Sequence, residues 1–177
     1  LVPVARKHGL KGLTELAGAL RARSVQLIAD TVEAMTTNES LFFRDTKPFE
    51  QFRKLVLPRL LETRTLKRSL RIWSAACSTG QEAYSTAIVL KELLGDLSGY
   101  DIRIQGTDIS DKAAAAASYA HFTKLEVERG MAMDRLNRFF VASNPKGATS
   151  SGKGNFPSVV TSLVSSAITT NFLAASS

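Results

Sequence analysis

The sequence predicts an α/β domain built on a parallel sheet, because strand and helix patterns alternate through its central part. Residues 70–76 alternate in polarity and end in small residues, as a buried strand entering a loop does. Residues 80–94 carry apolar side chains at helical spacing, and Gly95 is a natural helix stop. Residues 102–108 read as a second strand, and the alanine-rich residues 111–118 as a second helix. This order predicts a right-handed βαβ unit.

Two short amphipathic helices are predicted before this unit. Apolar residues recur at helical spacing over residues 13–20 and again over residues 25–35, and Ser24 suits the N-cap of the second helix. We therefore expect residues 1–35 to form a small all-α domain. Because the chain opens abruptly on the apolar residues 1–4, we expect this domain to be truncated.

Residues 36–49 read as a connector that is first polar and then aromatic. Pro48 suits the start of a further helix, which we expect to run to Leu61 with a kink or an end at Pro58. The aromatic residues of this region lie among basic ones, which is compatible with base stacking. Their spacing instead favours the apolar face of a helix, and they are Phe42, Phe43, Phe49 and Phe52.

Residues 141–177 are atypical of the domain that we place at residues 50–177, and we expect that domain to be incomplete at its C-terminus. No acidic residue follows Asp134, and small residues dominate from Asn144 onward, which is typical of a linker or a disordered tail. Buried strands are the alternative, and the residues that would form them are Val159, Val160, Leu163, Val164 and Ile168.

The charge is unevenly placed. The chain carries a formal net charge of +7, and nine of its lysines and arginines fall within residues 44–71. Such a stretch is a solvated face, a surface for an acidic protein helix, or a surface for nucleic acid. The lone Cys77 excludes an internal disulfide and cannot build a zinc site alone. No run of eighteen apolar residues and no signal peptide appear, so we expect a cytoplasmic protein without membrane insertion.

The chemistry is expected where the first strand ends. Small residues between Trp73 and Glu82, Ala75 and Gly80 among them, leave room for a ligand near the start of a helix, where unpaired N–H groups bind anions. Asp108 ends the second strand, where a carboxylate accepts hydrogen bonds from ribose hydroxyls. The pattern predicts a nucleotide-like ligand. Tight strand–helix packing explains the small residues equally well, and Asp108 could instead be a helix N-cap.

Three segments in this order resemble one protein family. They are residues 35–45 (MTTNESLFFRD), 71–85 (RIWSAACSTGQEAYS) and 106–110 (GTDIS), and they are similar to the CheR family of chemotaxis-receptor methyltransferases. Residues 119–140, with their Val-Glu-Arg-Gly and Arg-Phe-Phe groups, are similar as well. The resemblance implies a Rossmann-like class I methyltransferase domain with a parallel-rich sheet and flanking helices, preceded by the all-α domain.

The same resemblance implies a cofactor and a reaction. The cofactor is S-adenosylmethionine, the product is S-adenosylhomocysteine, and no metal is expected. The reaction is methyl transfer to receptor glutamates, with Arg44 near the transferred methyl. Glu82 would meet the methionine portion, Asp108 the ribose, and Asn171, in a segment similar to the family's Asn-Leu-Leu, the adenine. The full implied set that contacts the cofactor is Asn38, Ser40, Arg44, Ala75, Gly80, Glu82, Asp108 and Asn171.

The resemblance also implies partners. A basic helical region would dock the cytoplasmic helices of methyl-accepting receptors, through Arg6, Lys7, Arg21 and Arg23. We expect a monomer and no nucleic-acid partner. The sequence departs from the family at Ala83, where proline is usual, and in its tail. A non-catalytic S-adenosylmethionine-binding module and a nucleic-acid methyltransferase are the alternatives.

Overall fold

The computed structural model describes residues 1–63, 68–143, 158–161 and 168–174, and from residue 142 onward it describes the backbone alone. Three helices form an N-terminal helical layer, as predicted for two of them: α1 (Val2–Lys7), α2 (Leu13–Arg21) and α3 (Val25–Met35). Their contact is made by Val4, Ala5, Leu16 and Leu27. Ser24 stands at the N-cap position of α3, but its side chain makes no capping hydrogen bond, so the predicted cap is wrong in that respect.

The helix predicted after the connector is continuous through Pro58. It consists of α4 (Thr46–Gln51), a π-helical segment (Phe52–Val56) and α5 (Leu57–Thr63). Proline has no N–H to donate, which deprives a carbonyl of the preceding turn of its helical partner. A single wider turn before the proline accommodates this loss. The expected end at Pro58 is therefore wrong, and the irregularity is a π turn instead.

The predicted βαβ unit is confirmed. Strand β1 (Ser69–Ala75) leads into α6 (Gln81–Leu94), and β2 (Asp101–Asp108) leads into α7 (Asp111–Tyr119). β1 and β2 pair in parallel, with Ala75 opposite Thr107, so both strands end at the same edge of the sheet.

Hydrophobic alternation explains this unit. Ile102, Ile104 and Gly106 of β2 point to the buried face, and α6 covers the core with Ala87, Ile88 and other residues that are almost fully buried. Gly95 ends α6 in the left-handed region, as its position predicted. The core therefore lies between the sheet and α6.

The chain after α7 builds a second sheet. β3 (His121–Thr123), α8 (Lys124–Glu128), α9 (Met133–Phe139), β4 (Phe140–Ser143) and β5 (Ser158–Thr161) follow in order, and the strands pair antiparallel as β3-β5-β4. The last strand, β6 (Ile168–Ala174), returns to the first sheet and pairs in parallel with β2. Residues 158–161 and 168–174 are thus strands and not linker, whereas Leu163 and Val164 lie outside the described residues.

Phe42 and Phe43 are not on a helix face, which corrects the prediction for these two of the four aromatic residues. Phe42 and Phe43 precede α4 and are buried in the main core. The Phe42 ring makes edge contacts with Phe122 and Phe140, at centroid distances of 4.9 and 5.4 Å. This burial removes Phe42 and Phe43 from any role in base stacking.

No helix in the four described ranges is long and apolar enough to cross a membrane.

Candidate functional site

The turn after β1 holds an unusual backbone. Ala76, Ser78 and Gly80 have φ angles of 54°, 51° and 96°. Two of these residues are not glycine, so the left-handed conformation costs energy there, and such strain tends to be retained at functional sites. We call residues 76–80 the turn. Its amides are held in place because Cys77 N–H donates to Thr107 O and Gly80 N–H donates to Cys77 O.

Gly80 is required by packing, which is the alternative reason given for the small residues of this segment. A methyl group at its Cα would lie 3.0 Å from Cβ of Ala117 and 3.1 Å from Tyr84. Together with the φ of 96°, this close approach makes glycine necessary where α6 meets α7. Any part of Gly80 in ligand binding would therefore come from its backbone.

Asp108 lies beneath the turn at the end of β2. Its carboxylate is 6% exposed and accepts two backbone hydrogen bonds, from Ser78 N–H at 2.7 Å and from Ser110 N–H at 2.9 Å. A carboxylate has about four lone-pair positions, so acceptor capacity remains for a ligand hydroxyl. The alternative in which Asp108 caps α7 is wrong, because the N-cap is Ser110, whose hydroxyl accepts from Ala113 N–H.

Two side chains of the turn, those of Cys77 and Ser78, are shielded from solvent. The hydroxyl of Ser78 is buried, and no atom of the described residues forms a hydrogen bond with it. The adjacent Cys77 is 2% exposed. Burial, and then the nearby Asp108 charge, raise the pKa of the Cys77 thiol to about 11. The thiol therefore stays protonated at neutral pH.

Glu82 and Arg44 line one cavity beside the turn. The cavity has a volume of about 370 Å³, and its apolar walls come from Phe49, Phe52 and Ile72. Glu82 is held at its rim because Ser74 Oγ donates to Glu82 Oε1 at 2.6 Å. The cavity thus places two acidic residues, Asp45 and Glu82, and the basic Arg44 around an apolar space.

The connector is fixed over this edge of the sheet at three points. Asn38 Nδ2 donates to Ser110 Oγ at 3.3 Å, and Phe43 N–H donates to Ser85 Oγ on α6 at 2.9 Å. A Cβ added at Gly130 would lie 1.9 Å from Phe42 O, so the backbone after α8 presses directly on the connector. The guanidinium of Arg44 donates to Glu39 O at 3.0 Å.

Backbone strain concentrates at this site. Seven non-glycine residues of the described part have positive φ, and four of them, Phe43, Asp45, Ala76 and Ser78, belong to the connector or the turn. Conformations of this kind persist where the surrounding contacts determine them. The connector and the turn therefore both contain backbone held in an unfavourable conformation by its surroundings.

The remaining predicted cofactor residues lie at or near this edge. Ser40 is half-buried on the connector, and Ala75 is the last residue of β1. Asn171 lies on β6 opposite Gln105, three residues before the strand ends. The structure links Asn38 to Asp108 through Ser110, and it places Arg44 and Glu82 on the wall of one cavity. The roles of these residues toward a ligand stay predictions.

The four basic residues predicted to dock a partner are exposed on the helical layer. Lys7 forms an ion pair with Asp30 of α3, with Nζ and Oδ2 2.7 Å apart. Hydrogen bonds from Lys7 and from His8 lower the pKa of Asp30 to about 2. Lys7 is therefore paired within the layer, although its side chain is 63% exposed.

A second cavity, of about 420 Å³, opens at the opposite edge of the sheet. Leu60, Leu61, Leu70 and Tyr100 are among its walls. It adjoins the start of β1, whereas ligands of open parallel sheets bind beyond the carboxyl ends of the strands. The site is therefore assigned to the turn. Among the residues the structure describes, no group of three or more His, Cys, Asp or Glu side chains could hold a metal ion.

The fold and the site define a class of α/β protein that binds nucleotide-like ligands where parallel strands end. The family described as "CheR methyltransferase, SAM binding domain" matches residues 38–164, more than half of the chain. The chain belongs to this family. The predicted family and Rossmann-like fold are thereby confirmed.

Similar proteins carry matching names. The chain is 41% identical over 143 residues to chemotaxis protein methyltransferase 1 of Pseudomonas aeruginosa, covering 78% of this chain and 52% of the relative. It is 38% identical over 146 residues to chemotaxis protein methyltransferase Cher2 of Pseudomonas putida, covering 80% and 51%. A chemotaxis protein methyltransferase of Vibrio parahaemolyticus is 36% identical over 143 residues, covering 79% and 51%. The chain spans about half the length of these curated relatives.

Sequence reasoning missed several polar residues that shape the site. Ser110 stands directly before an alanine-rich helix, so the N-cap preference of serine could have identified it. Ser74 and Ser78 appeared only as small residues, and no pattern distinguishes a buried hydroxyl from a small filler. Glu33 of α3 contacts Ser110 from 77 residues away, and spacing along the chain carries no information on such a contact.

Proposed function

We propose that the protein binds S-adenosylmethionine at the end of β1 and β2 and transfers its methyl group to glutamate side chains of chemotaxis receptors. The observation that carries this proposal is the buried Asp108, which joins the turn to the start of α7 and keeps acceptor capacity. Family membership and the names of the relatives support the same reaction. The product would be a glutamyl methyl ester.

The residues present fit this cofactor. Asp108 would accept the ribose hydroxyls, and the buried Ser78 hydroxyl, which lacks a partner among the described residues, offers a further polar contact. Glu82, exposed at the start of α6, would pair with the cationic amine of the methionine portion. The cavity lined by Phe49, Phe52 and Ile72 would receive the apolar part around the sulfur. These assignments follow the donor and acceptor chemistry of the side chains.

When bound, S-adenosylmethionine supplies a methyl carbon that a glutamate oxygen attacks in line, while the electrons of the broken C–S bond pass to sulfur and neutralise the sulfonium. A glutamate side chain, with a pKa of about 4.3, is already ionised near neutrality. No general base is needed, and none is assigned. Proximity and orientation can supply roughly 7–11 kcal/mol of the barrier in favourable cases. The chain therefore has to position the two reactants.

Arg44 is the residue we assign to the receptor glutamate. It lines the same cavity as Glu82, and its hydrogen bond to Glu39 O holds it on the connector. A guanidinium binds carboxylates through paired N–H donors, so it can align the attacking oxygen. Arg44 would thus contact the nucleophile beside the methyl group.

Methyl transfer is tested by incubating the full-length protein with a receptor signalling fragment and methyl-labelled S-adenosylmethionine, which we call the transfer test. Base-labile release of labelled methanol measures methyl esters. We expect Arg44→Ala to lower the rate at least about 100-fold, because misalignment of reactants costs factors of that order. Arg59→Ala, on the exposed face of α5, is the matched control and should leave the rate unchanged. Ester formation at the wild-type rate by Arg44→Ala would refute the assignment of Arg44.

The transfer test also decides between classes of function. Cofactor binding without ester formation on any receptor fragment would identify a non-catalytic module. Labelling of RNA or DNA in place of the receptor would identify a nucleic-acid methyltransferase. The burial of Phe42 and Phe43 removes two of the four aromatic residues that could stack on bases of a nucleic acid.

Receptor docking is proposed for the exposed arginines of the helical layer. Charge reversal at Arg21 and Arg23 should slow methylation mainly at low salt, because screening weakens attraction between exposed charges. Reversal at Lys91 and Arg103 changes the net charge equally and is the control. Equal rates and salt dependence for the two double variants would remove the docking proposal.

A further inference from the structure

The hydroxyl of Ser110 is saturated by three hydrogen bonds from three parts of the chain. Its single proton is donated to Glu33 Oε1 of α3 at 2.9 Å. Its oxygen accepts from Asn38 Nδ2 of the connector at 3.3 Å and from Ala113 N–H of α7 at 3.0 Å. A hydroxyl has one donor and two acceptor positions, so all three are used. This arrangement fixes the direction of the hydroxyl only while Glu33 accepts its proton.

Ser110 also orients the carboxylate of Asp108, which we assign to ligand binding. Ser110 N–H donates to Asp108 Oδ1, and the other oxygen, Oδ2, accepts from Ser78 N–H of the turn. Ser110 is fully buried, so these bonds are shielded from water. The connector, Asp108 and the turn therefore meet at one serine, and that serine is bonded to the helical layer through Glu33.

We propose that Glu33 is a positioning residue for cofactor binding, acting through Ser110 on Asn38 and on Asp108. The proposal rests on the assignment of the S-adenosylmethionine site given above. Glu33 is not assigned to touch the ligand. Its carboxylate holds the Ser110 proton away from Asn38, which leaves a lone pair of Ser110 free to accept from the Asn38 amide.

The surroundings of Glu33 favour this role over a surface ion pair. Its side chain is 20% exposed, and it also lies 3.9 Å from Nζ of Lys112, whose side chain is 83% exposed. A contact of that length between an exposed lysine and a carboxylate contributes little. The short bond to the buried Ser110 hydroxyl is therefore the main interaction of Glu33.

Asp30 provides a matched control on the same helix. It is an acidic residue of α3, and it bonds to Lys7 and His8 within the helical layer and not to Ser110. Removing it should loosen the layer without touching the Ser110 junction. A general loss of packing in the layer and a specific loss at Ser110 can thus be separated.

The experiment is calorimetric titration of the full-length protein with S-adenosylhomocysteine, with a urea unfolding curve for each variant. We expect Glu33→Ala to bind at least about tenfold more weakly, since a hydrogen bond to a charged group is worth a factor of that order. Glu33→Gln keeps an acceptor oxygen for Ser110 and should bind within about threefold of wild type, because only the charge is lost. Asp30→Ala should be less stable to urea but bind within about twofold of wild type.

A double-mutant cycle tests the path of the effect. If Glu33 acts through the Ser110 hydroxyl, Glu33→Ala should cause little further loss of affinity in a Ser110→Ala background. Wild-type affinity in Glu33→Ala, or equal losses in Glu33→Ala and Asp30→Ala, would overturn the positioning role while the wild type still binds. Failure of the wild type to bind would instead overturn the proposed function, and this inference with it.

Discussion

Strand β2 begins and ends with an aspartate, and the two residues have opposite environments. Asp101 opens the strand with a side chain that is 54% exposed and paired with the Arg71 guanidinium, which lowers its pKa. Asp108 closes the strand almost fully buried, and its partners are the backbone N–H groups of Ser78 and Ser110. At one edge of the sheet the carboxylate is thus paired with an exposed arginine side chain, and at the other edge it is held by backbone N–H groups.

The difference between the two aspartates indicates which edge of the sheet is suited to binding a ligand. A guanidinium satisfies a carboxylate in a pair that solvent screens, so such a pair contributes little to either stability or recognition. Two backbone donors orient a carboxylate without a neighbouring positive charge, so the charge stays available to a ligand. Among the described residues, left-handed conformations occur at both edges, since Phe43, Ala76 and Ser78 adopt them in the connector and the turn, and Arg68 adopts one just before β1.

The largest expected effect separates the two aspartates directly. Asp108→Ala should weaken S-adenosylhomocysteine binding about 10- to 100-fold, because hydrogen bonds to a charged acceptor are lost. It should also destabilise the fold by about 1–3 kcal/mol for each of the two buried amides left without an acceptor. Asp101→Ala should change affinity by less than about twofold. Calorimetry measures the affinity and urea unfolding measures the stability of each variant. Equal losses of affinity in Asp108→Ala and Asp101→Ala would contradict a difference between the two edges in ligand binding.

A pair of glycine substitutions compares the packing at the connector with the packing at the opposite edge of the sheet. Gly130→Ala places a methyl group 1.9 Å from Phe42 O, so the backbone must move, at an expected cost of about 1–3 kcal/mol or more. Gly99→Ala meets only the terminal NH1 of Arg68, at 2.8 Å, and that flexible side chain can swing away. Gly99→Ala should therefore be close to neutral. The stability of the two variants is compared by their urea unfolding midpoints. A Gly130→Ala variant as stable as the wild type would show that the connector is not held by this contact.

Cys77 reports on the buried charge at the turn. Because burial and Asp108 raise the pKa of its thiol to about 11, alkylation by iodoacetamide at pH 8 should be much slower than for a free cysteine. The rate should rise steeply only as the pH approaches 11. In Asp108→Asn the charge is removed, so the rise should begin at lower pH. A wild-type rate at pH 8 equal to that of a small thiol would contradict a buried, protonated Cys77.

The smallest effect belongs to Asp101. Its pKa is lowered in the folded state by Arg71, so its contribution to stability is complete above the unfolded value of about 3.9 and is lost as the pH falls through the lower folded value. The difference in urea midpoint between wild type and Asp101→Asn should be small and constant from pH 7 to pH 5, and should vanish in stronger acid. A difference that grew in acid would have the wrong sign.

The central fold was predictable from the sequence because its apolar residues repeat with the periods of a strand and of a helix. Ile102, Ile104 and Gly106 alternate onto one face, Ala87, Ile88 and Leu90 follow the helical period, and Gly95 ends α6, so the βαβ unit could be written down before the structure. The π turn before Pro58 could not, since proline signals a disturbance without saying whether the helix stops or widens.

The site was predictable only in part. The turn and Asp108 follow from the position of small and acidic residues at strand ends, whereas Arg44, Asn38 and Asn171 came from family resemblance alone. Contacts between segments far apart in the sequence were not predicted. Examples are the approach of Gly130 to Phe42 and the hydrogen bond between Ser110 and Glu33. No local pattern encodes which residues meet across a fold.

The most direct test of the account is amide hydrogen exchange of the full-length protein with and without S-adenosylhomocysteine. We predict slower exchange on ligand binding at the turn, residues 76–80, and along the connector, with no change around residues 96–101 where β2 begins. Unchanged exchange at the turn, or new protection confined to the opposite edge of the sheet, would contradict the placement of the cofactor beside Asp108.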